Sequence, residues 1–211
     1  MSVNLLKLDS AARKAPVVPV IVVDSARQAA PLARTLVRAG VTIAEVTLRT
    51  PAGLEAISVM RAEAPELLVG AGTVLSGKDA DDAVAAGAEF LVSPGMSPGL
   101  RAALRGREHL MIPGISTPSE AMTRQEEGFE RLKLFPASIA GGAPALKALA
   151  GPLPHLRFMP TGGISEAEVK TYLALPNVFA IGGSWIASQA DIAAGNWSRI
   201  EEIARRLLAL A

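Results

Sequence analysis

Lys133 carries a charge where an apolar residue is expected. It sits in Arg131-Leu132-Lys133-Leu134-Phe135-Pro136, a short run of large apolar residues closed by proline that reads as a buried β-strand. Side chains alternate faces along a strand, so Leu132 and Leu134 share one face while Arg131, Lys133 and Phe135 share the other. Taking an ammonium out of water is costly unless it is paired or gives up its proton, and a neutral amine attacks carbonyls. On this strand alone, a lysine that snorkels to water or sits in a structural ion pair is the simpler account. A second strand reverses that balance.

In Ile43-Ala44-Glu45-Val46-Thr47-Leu48-Arg49-Thr50, the polar residues Glu45, Thr47 and Arg49 alternate with Ala44, Val46 and Leu48. One face is polar and the other aliphatic. In an antiparallel sandwich the polar face would meet solvent. In a closed parallel barrel the outer face is covered by helices, so the polar face must point inward, toward the interior that also receives Lys133. Thr73, at the end of the third apolar run, joins them. These groups form a coherent set. Lys133 could form a Schiff base with a ketone, and the iminium would act as an electron sink while a carbon–carbon bond β to it breaks. Glu45 would carry protons, and Arg49 offers a planar fork for a carboxylate.

The elements that must position these side chains recur along the whole chain. Apolar, β-branched runs lie at 17–23, 43–48, 67–74, 90–92, 110–115, 132–135, 157–159 and 178–181. Most end in turns bearing Gly or Pro, and from the second run onward they are spaced as a compact strand-plus-helix unit requires. The segments between them are helical. Residues 26–39 carry Leu32, Leu36 and Val37 at helical spacing and stop at Gly40, with Pro31 predicting a kink or late start. Thr117-Pro118-Ser119-Glu120 and Ser165-Glu166-Ala167-Glu168 read as capping boxes, and Ser97-Pro98 as another N-cap followed by proline. Eight such repeats without a composition break predict a single α/β domain over 1–211. It is a (β/α)₈ TIM barrel over 16–211, led by a short N-terminal helix within 1–15 that lies outside the barrel. An open doubly wound sheet is the competing arrangement, and the regularity argues against it.

The last two strand ends have a different character. Thr161-Gly162-Gly163-Ile164-Ser165 and Gly182-Gly183-Ser184 place glycines and a hydroxyl where strands seven and eight meet their helices. Backbone N–H groups there, free of side-chain obstruction, form the phosphate cup common in this fold. Each Gly-Gly alone is a weak signal, because tight turns use glycine anyway. The pair at these two positions is stronger.

Composition excludes several other chemistries. Half of the 211 residues are hydrophobic and the net charge is +1, with no cluster of Lys and Arg, which gives nucleic acid or a membrane surface nothing to recognise. There are no cysteines, so disulfides and thiolate catalysis are out and a reducing cytoplasm is the expected setting. No signal peptide or membrane span is apparent. Gly72-Thr73-Val74-Leu75-Ser76-Gly77-Lys78 spells most of a phosphate-binding P-loop. Asp79, however, stands where a hydroxyl must hold magnesium, so the match is a coincidence. His109 and His155, the only histidines, precede strands on the rim opposite the chemistry, which argues against a His-ligated zinc or a Ser-His-Asp triad. Lys7, Lys14, Lys78, Lys147 and Lys170 read as surface residues, and Trp185 and Trp197 as packing residues.

The chain resembles the bacterial 2-keto-3-deoxy-6-phosphogluconate (KDPG) aldolase and 4-hydroxy-2-oxoglutarate (KHG) aldolase family. The resemblance runs from Pro16 to near the C-terminus. It rests on Val17-Val18-Pro19-Val20-Ile21-Val22-Val23, Glu45-Val46-Thr47-Leu48-Arg49-Thr50, Val69-Gly70-Ala71-Gly72-Thr73-Val74-Leu75, Ser93-Pro94-Gly95, Ile112-Pro113-Gly114-Ile115-Ser116-Thr117, Lys133-Leu134-Phe135-Pro136-Ala137, Pro160-Thr161-Gly162-Gly163-Ile164 and Ile181-Gly182-Gly183-Ser184-Trp185. It implies a homotrimeric class I aldolase that uses neither metal nor cofactor and takes a phosphorylated keto acid. Lys133 would form the Schiff base and Glu45 would be the general acid and base. Arg49 and Thr73 would hold the pyruvate carboxylate, and Thr161 would influence which face of the aldehyde is used. Pro94, Phe135, Gly162, Gly163, Gly182, Gly183 and Ser184 complete the substrate-binding set. The family usually carries Glu where this chain has Ser138, which bears on the preference among aldehydes. The Pro160–Gly163 stretch looks closer to the gluconate-derived branch than to the galactonate-derived relatives. The rival from a different class is a phosphate-binding barrel without lyase activity, such as a sugar-phosphate sensor or an isomerase that needs no imine.

Overall fold

Every strand of the barrel runs parallel to its neighbours, and the ring closes on itself. The computed structural model describes residues 3–210; Met1, Ser2 and Ala211 of the expected helix and barrel lie outside the described residues. The strands are β1 (Val17–Ile21), β2 (Ile43–Thr47), β3 (Leu68–Gly72), β4 (Leu91–Val92), β5 (Met111–Ile112), β6 (Gly114–Ile115), β7 (Arg131–Leu134), β8 (Arg157–Phe158) and β9 (Ile181–Gly183). Pairing follows the order β5-β4-β3-β2-β1-β9 on one side and β6-β7-β8 on the other. Pro113 alone separates β5 from β6. Lacking an N–H it interrupts the ladder, yet its carbonyl still accepts from Lys133 N at 2.9 Å, so the two pieces act as one strand. The seam between β8 and β9 is joined by Phe179 N to Phe158 O at 3.0 Å and Gly182 N to Pro160 O at 2.9 Å. Eight strand positions in a ring are the barrel that the repeat pattern predicts.

The eighth run differs in its limits. The apolar pattern places it at 178–181, whereas the hydrogen-bonded strand is Ile181–Gly183, and Val178 only bridges Phe158. The seam with β8 still begins inside the apolar run, at Val178 and Phe179, whereas pairing with β1 starts at Ile181. The other expectations fare better. Residues 26–28 form a single 3-10 turn and α2 (Ala29–Ala39) begins after it, so Pro31 falls in the first helical turn and is tolerated as a late start. Both capping boxes form, and Ser97 accepts from Leu100 N. The P-loop look-alike is a third box: Asp79 accepts from Leu75 N at 2.9 Å and Ser76 N at 3.0 Å, so its carboxylate starts a helix.

Strand faces sort the side chains. Ala44, Val46, Val69, Ala71, Leu132 and Leu134 point outward into one core with Leu32, Leu36, Ile57 and Met60 of the covering helices. Val18, Ile43, Leu68, Phe90, Val92, Ile112 and Met159 form a second, interior core. The leading helix belongs to that second core. Helix α1 (Val3–Lys14) lies outside the strand–helix repeat, as expected, but it covers the N-terminal mouth of the barrel, inserting Leu8 and Ala12 into the interior. Asp9 makes a bidentate pair with Arg131, with Nε to Oδ1 at 3.0 Å and an η nitrogen to Oδ2 at 2.6 Å. Arg131 is therefore an inward residue of β7, as its alternation with Leu132 requires, satisfied from below by the helix.

Removing one partner of such a pair strands the other charge in a poorly hydrated place. Asp9→Ala is expected to lower unfolding stability by about 3 kcal/mol, and adding Arg131→Met should recover most of the loss. Urea denaturation of the two variants checks this. Equal stability of Asp9→Ala and the parent would show that the pair holds nothing in place.

Candidate active site

At the other end of the barrel, the inward face of β2 meets the inward face of β7. In the ring these strands are diametrically opposed, so Glu45 and Lys133 reach toward each other across the interior. Lys133 Nζ lies 3.2 Å from Glu45 Oε1 and 3.5 Å from Oε2. Their side chains are 6% and 1% exposed, which makes this a buried ion pair rather than a surface one. The ammonium also stands 5.1 Å from the centre of the ring of Phe135, the residue that follows β7.

Room for two long side chains comes from glycine on the neighbouring strands. A Cβ at Gly72 would overlap the Glu45 carboxylate, one at Gly114 would overlap the Pro94 carbonyl, and one at Gly182 would overlap the Thr161 hydroxyl. Three inward positions in this layer are thus left empty so that their neighbours can fill them. What remains is a cavity of about 270 Å³ open at the C-terminal strand ends.

All twelve residues singled out in the sequence line that one cavity: Lys133, Glu45, Arg49, Thr73, Pro94, Phe135, Thr161, Gly162, Gly163, Gly182, Gly183 and Ser184. They divide into two ends. Beyond Glu45, Thr47 donates to Ile21 O at 2.9 Å, and Arg49 Nε approaches the Thr47 hydroxyl at 3.3 Å, so a buried threonine steadies an exposed guanidinium. Thr73 follows β3 with φ +60°, the one non-glycine residue in the left-handed region among the described residues. Such a conformation costs about 1–3 kcal/mol and collects at functional sites. This end presents a guanidinium fork and a hydroxyl, suited to a carboxylate.

At the opposite end, Gly162 and Gly163 take φ of +94° and +75°, a turn that side chains resist. Thr161 pairs with Gly182 across the seam, which brings the Gly162-Gly163 turn beside the glycine end of β9, with Ser184 at the rim. Their arrangement suits an anion held by backbone N–H groups. Trp185, read from the sequence as packing, does pack on the core. It also lines the cavity and donates to Ile164 O at 2.8 Å, tying the two segments together. Val20 and Ile164 line the cavity too. Sequence reading missed both, because a valine or isoleucine in an apolar run carries no local signal of which surface it meets.

The five other lysines are exposed, and Lys7 and Lys78 pair with Glu89 and Asp82. His155 is exposed and His109 half-buried, each just before a strand at the opposite end of the barrel. Among the described residues no group of three or more His, Cys, Asp or Glu side chains is arranged to hold a metal. No helix among them is long and apolar enough to cross a membrane.

Comparison with known proteins agrees with this geometry. The family model for KDPG and KHG aldolase matches residues 8–203. The chain is 49% identical over 191 residues to the KHG/KDPG aldolase of Escherichia coli K12, a match covering 90% of this chain and 89% of that one. It is 45% identical over 194 residues to the 2-dehydro-3-deoxy-phosphogluconate aldolase of Pseudoalteromonas atlantica, covering 92% and 90%. Among solved structures, the KDPG aldolase of Legionella pneumophila, with pyruvate captured as a covalent carbinolamine, superposes with a TM-score of 0.89 at 42% identity. That match covers 94% of this chain and 97% of the other.

The empty position at Gly72 is directly testable. Gly72→Ala is expected to push the Glu45 carboxylate away from Lys133 and to cost about 1–3 kcal/mol, the usual penalty of overpacking. A crystal structure of the variant with the ion pair intact would contradict this account of the layer.

Proposed function

Because the chain belongs to the KDPG and KHG aldolase family, we propose that it cleaves 2-dehydro-3-deoxy-6-phosphogluconate to pyruvate and D-glyceraldehyde 3-phosphate, a step of the Entner–Doudoroff pathway, and also 4-hydroxy-2-oxoglutarate to pyruvate and glyoxylate. The observation that carries the mechanism is the buried pair of Lys133 and Glu45 at the floor of the cavity. The Lys133 amine adds to the C2 ketone, giving a carbinolamine, and loss of water gives the iminium. A base takes the C4 hydroxyl proton, the C3–C4 bond breaks, and its electron pair enters the iminium to form an enamine while the aldehyde leaves. Protonation at C3 and hydrolysis then release pyruvate and restore the amine. Glu45 is the group we assign to these proton movements, since its carboxylate reaches the nitrogen on which the imine forms. The iminium supplies the electron sink, so the route requires no metal or other cofactor.

Arg49, steadied by Thr47, and Thr73 hold the carboxylate in this reading, with Pro94 and Phe135 walling the keto-acid end. Thr161 meets the aldehyde. The glycine pairs Gly162-Gly163 and Gly182-Gly183, with Ser184, receive the phosphate, which only the first of the two substrates carries. The same proposal includes a homotrimer in the cytoplasm as a single barrel domain; exposed apolar side chains at Leu75, Met122 and Ile139 are surface that an assembly would cover.

Incubation with pyruvate and borohydride tests the imine. Reduction is expected to leave one irreversible adduct, on Lys133 among the six lysines. No adduct, or an adduct on Lys147, would return the protein to the class of phosphate-binding barrels without lyase chemistry. Glu45→Gln tests the proton carrier. It should keep the fold and lower kcat by about 10²–10⁴-fold, the usual share of general acid–base catalysis, with slower exchange of pyruvate methyl protons in deuterated water. Exchange near the parent rate in a folded variant would assign the base to another group.

A further inference from the structure

Val20 is 6% exposed, yet it belongs to neither hydrophobic core. Its side chain is buried against the cavity instead. Strand β1 runs between β2 and β9, with Val20 in register with Glu45 on one side and Pro19 with Gly183 on the other. Val20 therefore stands between the carboxylate assigned to proton transfer and the glycines assigned to the phosphate. The position that mirrors it across Glu45 is Gly70 on β3, where the Phe90 ring fills the space. Of the two in-register neighbours of Glu45, only Val20 presents an aliphatic side chain.

We infer that Val20 sets which donors the site accepts, by filling the space beside C3, the carbon that becomes nucleophilic in the enamine. This rests on the Schiff-base reading. With nitrogen at Lys133 and the carboxylate turned toward Arg49 and Thr73, C3 must face Glu45 to exchange its proton. The bond it makes to the aldehyde carbon must point toward Thr161 and those glycines. The remaining side of C3 falls to Val20. A methyl or methylene tolerates an isopropyl neighbour. An added methyl would overlap it, and an added hydroxyl would be buried there without a hydrogen-bond partner. The substrates selected are keto acids unsubstituted at C3, and both substrates assigned above carry a plain CH₂ at that carbon.

The experiment compares exchange of C3 protons with deuterated water for pyruvate and for 2-oxobutanoate, which carries one more methyl on C3, each measured by proton NMR on the full-length protein. For Val20→Ala, the ratio of the 2-oxobutanoate rate to the pyruvate rate is expected to rise about tenfold or more, the scale on which a hydrophobic pocket senses one carbon. For Val20→Ile, a variant that keeps the site filled, it should fall below the parent ratio. A ratio unchanged in both variants, with pyruvate exchange still running, would overturn the inference while leaving the imine intact. Absence of any pyruvate adduct on Lys133 of the parent protein would overturn the Schiff-base reading and this inference with it.

Discussion

Burying Lys133 against Glu45 removes two charges from water at once, a penalty of several kcal/mol per ion that their mutual attraction offsets only in good geometry. Neither residue can be left alone there. A closed parallel barrel meets that requirement because strands on opposite sides of the ring bring inward side chains together over a short gap, and because helices outside exclude water from the rest. In the proposed mechanism the pair is also a chemical instrument, because its nitrogen and its carboxylate lie within hydrogen-bond distance of each other.

Space in the interior is distributed to serve that pair. The bottom layer is closed by helix α1, with Leu8 and Ala12 filling it and Asp9 neutralising Arg131. The top layer is kept open by glycines whose absent side chains are replaced by functional groups from adjacent strands. One barrel thus spends its lower half on stability and its upper half on chemistry, separated by Val18, Ile43 and Ile112 of the interior core. The one non-glycine residue with a left-handed backbone among the described residues, Thr73, lies in the upper half next to the cavity.

Much of this was legible in the chain because its signals are local. Alternation along Glu45, Thr47 and Arg49 exposes an inward polar face, and Gly- or Pro-bearing turns mark the strand ends. Capping boxes at Thr117 and Ser165 mark helix starts on four residues each. The rest depends on pairing between distant residues. Asp9 and Arg131 meet across 122 positions, and nothing near either residue announces the other. The apolar run at 178–181 starts ahead of β9 because apolar side chains report burial, whereas the ladder with β1 begins at Ile181, where the neighbouring strand lies alongside. Val20 was hidden in Val17-Val18-Pro19-Val20-Ile21, all five residues of which are buried. Composition tells that such a strand is covered on both faces, and only closure of the ring tells which residue is covered by a cavity.

The two ends of that cavity obey different physics. In the proposed function the keto-acid end relies on side chains: a guanidinium fork held by a threonine, a strained threonine and a buried ion pair. The far end in that proposal relies on backbone, where Gly162 and Gly163 turn at positive φ and Gly182 and Gly183 carry no side chain, so a substitution there would obstruct the space. Discrimination at the first end is therefore chemical and at the second steric and electrostatic. A barrel built this way can hold the chemistry of bond cleavage fixed while accepting acceptor aldehydes with and without a phosphate, because the groups proposed to make the imine and those proposed to receive the phosphate lie on separate strands, with Thr161 at the junction.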